Sequence, residues 1–138
     1  MFAPGVSTDV LNGNVYIPRL WISGNVECTY YFTGDVNSTA PIRWNWLASS
    51  QGLGEDISAA VEVNVSADVA GPATAWLIQR YTFTSYLTVA SQDHLLGCRV
   101  VREGAHANDT YAGDAWFLGV LLRFIPASQT GDTKGRVP

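Results

Sequence analysis

Few side chains in this sequence could do chemistry, and their spacing limits what kind. His94 directly follows Asp93; adjacent residues on a strand project to opposite faces, so an Asp–His catalytic pair is not expected there, and a turn ahead of a strand is. His106 stands in a polar stretch with Asn108 and Asp109, but no second His or Cys lies at metal-ligand spacing. Asn108, Asp109 and Asp114 offer oxygen ligands, yet the stretch lacks the alternating acidic pattern of a calcium loop, and Asp and Asn more often cap turns. Glu55-Asp56 is an adjacent carboxylate pair in a Gly-rich segment. Glycoside hydrolysis needs two carboxylates that meet in space, and a solvated loop is the expected place for this pair. Gly52-Leu53-Gly54 is too short to cradle phosphates, and there is no nucleophile elbow, Walker loop or zinc-spaced cysteine pair. The expectation is a protein that is not an enzyme and uses no cofactor and no metal.

Cys28 and Cys98 both sit in strand-like apolar runs and make no disulfide framework; free, buried thiols are expected, with a bridge open only if the two strands are neighbours. The aromatic residues are the other candidates. Trp21, Tyr31, Trp44, Trp46, Trp76, Tyr86 and Trp116 could line a sugar-binding face or a protein interface. Most share a face with apolar neighbours and read as core. Tyr31 and Trp76 do not, and with Phe2 near the N-terminus and Tyr111 in the polar stretch they are the expected interface residues.

These side chains must be positioned by a chain of 138 residues, the size of one domain. A chain of this length buries about 70% of its unfolded surface, enough for a substantial core. Charged residues make up 14% of it, against a usual level of about 25%, and Lys134 is the only lysine. A surface so poor in charge has little to keep it monomeric, which favours burial of part of it in an assembly. The net charge is −4 and the seven arginines are scattered, which argues against nucleic acid as a partner. No apolar run is long enough to span a bilayer as a helix, and residues 1–14 carry neither a basic segment nor an apolar one of the secretory kind. The sequons at Asn37, Asn64 and Asn108 are therefore read as chance occurrences in an Asn/Ser/Thr-rich chain.

Period-two patterning dominates. Cys28, Tyr30 and Phe32 share one face, Ile42, Trp44 and Trp46 another, and Val61 to Ser66 alternates valine with polar residues. Val15–Ile17 and Leu20–Ile22 are short pieces broken by Pro18, which suits an edge or a bend. Residues 73–79 and 81–89 are rich in β-branched and aromatic residues and read as strands. The closing segment reads as strand (His94 to Arg102), polar loop (Glu103 to Asp114) and strand (Ala115 to Ile125), stopped by Pro126. In the last strand Trp116, Leu118, Val120, Leu122 and Phe124 fall on one face, with Phe117, Leu121 and Ile125 on the other. A strand apolar on both faces is expected at the centre, covered on both sides. No window keeps a helical period with caps, although residues 53–60 could form one short turn. The expected fold is all-β, a jelly-roll-like antiparallel sandwich over residues 15–126, between an N-terminal arm (1–14) and a polar C-terminal tail (127–138). An immunoglobulin-like sandwich is the alternative, kept open by the placement of Cys28, Trp44 or Trp46, and Cys98.

The closing segment also resembles a known class. Gly97-Cys98-Arg99-Val100-Val101-Arg102-Glu103-Gly104, then Asn108-Asp109-Thr110-Tyr111-Ala112-Gly113-Asp114, then Leu118-Gly119-Val120, is similar to the end of small jelly-roll virion proteins of tailed bacteriophages, where a strand with R-V-x-R leads through a loop like D-T-x-x-G-D-A into a final apolar strand. The first ninety residues lie outside the resemblance. It implies a structural protein located on the virion and assembled in the host cytoplasm: a capsid cement or decoration protein, often a trimer, that bridges copies of the major capsid protein. The alternative within the same class is a tail-fibre or spike module that binds carbohydrate receptors. The two polar arms suit a clamp, since arms can order against neighbouring subunits.

Overall fold

A computed structural model describes residues 9–16, 24–52, 63–89 and 95–126, the first of these stretches by its backbone alone. Eight strands are present: β1 (Asp9–Tyr16), β2 (Gly24–Gly34), β3 (Pro41–Gln51), β4 (Val63–Ala70), β5 (Gln79–Thr82), β6 (Leu87–Val89), β7 (Leu95–Arg102) and β8 (Ala115–Pro126). There is no helix among the described residues, and every strand pairing is antiparallel. One sheet has the order β1-β7-β3-β4. In the other, β2 is central, with β8 along one side and the short β5 and β6 along the other. The protein is an all-β antiparallel sandwich. It is jelly-roll-like in that the chain changes sheet at most connections, with the β3–β4 and β5–β6 connections each staying within one. β7 and β8 lie in different sheets. In an immunoglobulin-like sandwich the last two strands share a sheet, so that alternative does not describe this chain.

Side-chain alternation fixes the two inner faces. Val26, Cys28, Tyr30 and Phe32 of β2 are fully buried, as are Ile42, Trp44 and Trp46 of β3. Their rings interlock across the sandwich: Tyr30 and Phe32 lie 5.2 and 5.5 Å from Trp44 between centroids, and Phe83 packs on Tyr30 (5.3 Å) and Trp46 (5.7 Å). Such aromatic pairs add about 0.5–1.5 kcal/mol each beyond the area they bury. Val63 is buried, and Val65, Ala67 and Val69 pack on the same core from β4.

The two cysteines occupy opposite sheets, yet both side chains face inward. They are free and share a hydrogen bond across the core. That bond and then burial raise the Cys28 thiol far above its ordinary value, so Cys28 keeps its proton, while Trp46 Nε1 donates to Cys98 Sγ at 3.3 Å.

Four expectations are corrected. Residues 9–14, read as part of an arm, belong to β1, which pairs with the whole of β7 from Asp9↔Arg102 to Tyr16↔Leu95. Residues 73–78, read as strand, form turns after Gly71-Pro72, and Trp76 takes a left-handed conformation (φ 68°) that no strand holds. β8 is not central: β2 takes it on one side only, and it is the edge of its sheet among the described strands. Its two faces also exchange partway, because the register with β2 shifts between Tyr31↔Gly119 and Phe32↔Phe117, leaving Leu118 as an extra residue. Val120, Leu122 and Phe124 thus lie opposite the inward Tyr30, Cys28 and Val26, whereas Trp116 lies opposite Thr33 on the outside. The pieces around Pro18, the possible turn at 53–60, Asp93-His94 and the C-terminal tail fall outside the described residues.

One end of the sandwich is closed by Tyr111, whose ring sits against Gly34 and Gly71. A Cβ at Gly71 would lie 2.5 Å from Ser38 O and 2.7 Å from the Tyr111 ring, and the backbone oxygen cannot move aside cheaply. Gly71→Ala is expected to destabilise the fold by about 1–3 kcal/mol in chemical denaturation, the usual cost of overpacking; an unchanged midpoint would show that this end is loosely packed.

Candidate functional site

The polar loop 103–114 is built on one buried cation. Arg102 is the last residue of β7 and shares the inward face with Val100 and Cys98, so its side chain runs into the end of the sandwich and is fully buried. Asp109 meets it there with both carboxylate oxygens: Nη2 donates to Oδ1 at 2.7 Å and Nε to Oδ2 at 2.9 Å. Arg102 also donates to the carbonyls of Tyr111 (2.7 Å) and Gly113 (2.8 Å), and its guanidinium lies 5.7 Å from the centre of the Tyr111 ring. Asp109 Oδ2 accepts a further bond from the Arg43 backbone N–H at 3.0 Å. The loop is therefore stitched to β3 as well as to β7, with Thr110 and Tyr111 N–H groups donating to Pro41 O. The Tyr111 hydroxyl donates to Val36 O (2.9 Å) and accepts from Val36 N–H (3.1 Å).

A polar network braces this loop from outside. Arg43 pairs with Asp68 and Glu103 at 2.7 Å each, Ser66 donates to Glu103 at 2.9 Å, and Asn108 donates to Asp68 at 2.8 Å. The Arg43 hydrogen bond holds the Asp68 carboxyl below the usual carboxylate range, with Asn108 adding to it. Asp109, a candidate calcium ligand by sequence, has both oxygens committed to Arg102 and to backbone. Among the described residues no group of three or more His, Cys, Asp or Glu is arranged to hold a metal ion.

The other conspicuous surface is the outer face and free edge of the β8 sheet. Along β2 and β8 the outward pairs run Glu27–Arg123, Thr29–Leu121, Tyr31–Gly119 and Thr33–Trp116. An ion pair caps one end, with Arg123 Nε 2.9 Å from Glu27 Oε1. Trp116 packs beside Trp76 at the other, centroids 5.9 Å apart, and Thr33 Oγ1 holds Leu77 O at 2.9 Å. Between them Tyr31 stands opposite Gly119, where a Cβ would meet nothing within 4 Å. Trp76 is 59% exposed, Ile78 67% and Leu121 53%. Leu77 and Leu118 are exposed as well.

Of the four expected interface residues, Tyr31 and Trp76 belong to this surface. Tyr111 does not: it is buried with 1% of its surface exposed, a structural post rather than a contact residue. Phe2 lies outside the described residues. Trp116, Leu118 and Leu121 were read as core of a covered strand, although a strand apolar on both faces also describes one that waits for a partner. The burial of Arg102 did have a sequence signal, since period two places it on the face of Cys98 and Val100.

No family model matches this chain, and no curated protein or solved structure matches it.

Removing one partner of the buried pair, by Asp109→Asn or Arg102→Leu, is expected to cost about 3–5 kcal/mol in urea unfolding, because the other charge is left uncompensated in the interior. A loss under about 1 kcal/mol would show the loop to be held by its backbone bonds alone. Asp68 has a lowered folded value, so its contribution is complete above the unfolded value and is lost as pH falls through the folded one. Amide exchange in residues 103–110 is expected to quicken below about pH 4; since the pair is partly exposed, the effect should be small and weaken with salt.

Proposed function

We propose that this protein is a non-catalytic structural module that works by burying the outer face and free edge of its β8 sheet against other subunits. The observation that carries the reading is β8 itself: a strand from Ala115 to Pro126 with a single charged residue, unpaired along one side among the described strands, with Leu118 and Leu121 exposed on it and exposed Trp76 packed beside its Trp116. Soluble proteins protect such edges with charges, prolines or cover, and a long apolar edge invites another chain. Large apolar side chains left exposed at one edge and one end of a sheet favour an interaction site. The low charge content supports the same reading. So does the resemblance of residues 97–120 to small virion proteins of tailed phages, which makes a capsid cement or decoration protein the specific form proposed. It would be a homo-oligomer, a trimer by that resemblance, on the virion surface, bridging major capsid subunits and stabilising the assembled head because it binds that form preferentially. The second reading, a tail-fibre or spike receptor-binding module, is supported by the exposed aromatics Trp76 and Tyr31, which could stack on sugar rings.

Light scattering on the purified chain is expected to give a mass above the monomer's 14.9 kDa. Leu121→Glu, which places a charge on the outer face beside Thr29, is expected to return it to a monomer that keeps its β fold by circular dichroism. Heads lacking the protein are expected to melt at higher temperature when it is added back. A wild-type monomer that does not shift the melting of heads would reject the cement role.

A further inference from the structure

On the opposite side of the molecule, the outer face of the β1-β7-β3-β4 sheet carries an open cleft of about 460 Å³. Its floor is set by register: Asn64, Leu47 and Arg99 form one row across β4, β3 and β7, and Ser66, Asn45 and Val101 the next. Loop 103–114 raises one wall with Glu103 and His106. That wall is fixed, because Arg102 and Asp109 anchor the loop beneath it.

The polar groups are held in place while keeping capacity to spare. Asn45 is 6% exposed, and its amide donates to Asn64 Oδ1 (2.8 Å) and Ser66 Oγ (2.9 Å), which leaves its own Oδ1 as an acceptor. Glu103 Oε2 takes the bonds from Arg43 and Ser66, leaving Oε1. His106 Nδ1 accepts from the Asn108 N–H at 3.1 Å, so the hydrogen of a neutral ring sits on Nε2. Asn64 keeps its amide donors. Arg99 is exposed and has no ion-pair partner among the described residues, whereas Glu103 shares the Arg43 guanidinium with Asp68 and turns its held Oε2 toward it. The cleft thus offers donors and acceptors, two apolar side chains in Leu47 and Val101, and one guanidinium, that of Arg99, with no ion-pair partner among the described residues.

Donors and acceptors at fixed spacing suit a ring bearing several hydroxyls, Leu47 and Val101 suit its C–H face, and the free guanidinium suits a carboxylate. We propose that this cleft binds an acidic sugar, a hexuronate-type unit, with Arg99 on the carboxylate and Asn45, Asn64, Glu103 and His106 on the hydroxyls. The site does not depend on the β8 surface. It faces the other way, so it stays open when that surface is buried.

The test is an NMR titration of the ¹⁵N-labelled protein with D-glucuronate, D-glucose and inorganic phosphate in parallel. Glucuronate is expected to shift amides in residues 45–47, 64–66 and 99–106, with glucose at least about tenfold weaker, as loss of one charge-assisted contact implies. Arg99→Gln should weaken glucuronate about tenfold and leave glucose unchanged, and Asn64→Ala should weaken both. Both residues are exposed, so the variants are expected to fold, which their spectra check directly. No response to glucuronate, a response to phosphate as strong as to glucuronate, or indifference to Arg99→Gln would overturn the proposal. Leu121→Glu separates the two readings, since it is expected to abolish assembly and leave glucuronate binding intact.

Discussion

The ion pair between Arg102 and Asp109 is the interaction on which the working parts of this protein depend. A guanidinium with no exposure is costly to desolvate, and it persists here because two carboxylate oxygens and two backbone carbonyls meet it within hydrogen-bond distance. One charge thereby organises a twelve-residue loop that has no strand of its own. The Arg43 N–H on Asp109 extends that order to β3, and Arg43's side chain extends it to β4 through Asp68. Without the pair, the loop would be left to its backbone bonds with Pro41 and Arg43 and to the outer contacts of Glu103 and Asn108.

The two broad faces divide the chemistry. The inner strand β2 contributes four fully buried apolar residues to the core, and its outward residues, with those of β8, form a surface that is ionic at one end and aromatic at the other. The opposite sheet shows the reverse balance outside, with amides, hydroxyls and an ion network over β3 and β4.

Much of this was legible in the residues. The strands β2, β3 and β4 are half-buried, and half-burial writes itself as strict alternation, so Cys28, Tyr30, Phe32, Trp44 and Trp46 could be placed on their faces from the sequence. β8 could not, because apolar residues on both faces report that a strand will be covered without saying by what; here one side of that cover is absent from the chain's own described strands. The bulge at Leu118 was also invisible, since it depends on the register with β2. Residues 73–78 misled through composition, as apolar and aromatic side chains occupied turns. The cleft residues Asn45, Asn64 and Arg99 carried no signal, because only the pairing of three strands brings them into adjacent rows.

Tyr111 has a consequence for how the chain reaches this state. Its hydroxyl engages Val36, 75 residues earlier, and its ring rests on Gly34 and Gly71, so two separate stretches, around 34–36 and at 71, must already be in place before it can seat. Closure of that end is among the least local steps of a fold whose pairings are mostly distant in sequence, and such topologies fold in milliseconds to seconds rather than microseconds. Until that end is seated, the apolar β8 is open to other chains, so one tyrosine late in folding bears on how long the chain is exposed to aggregation.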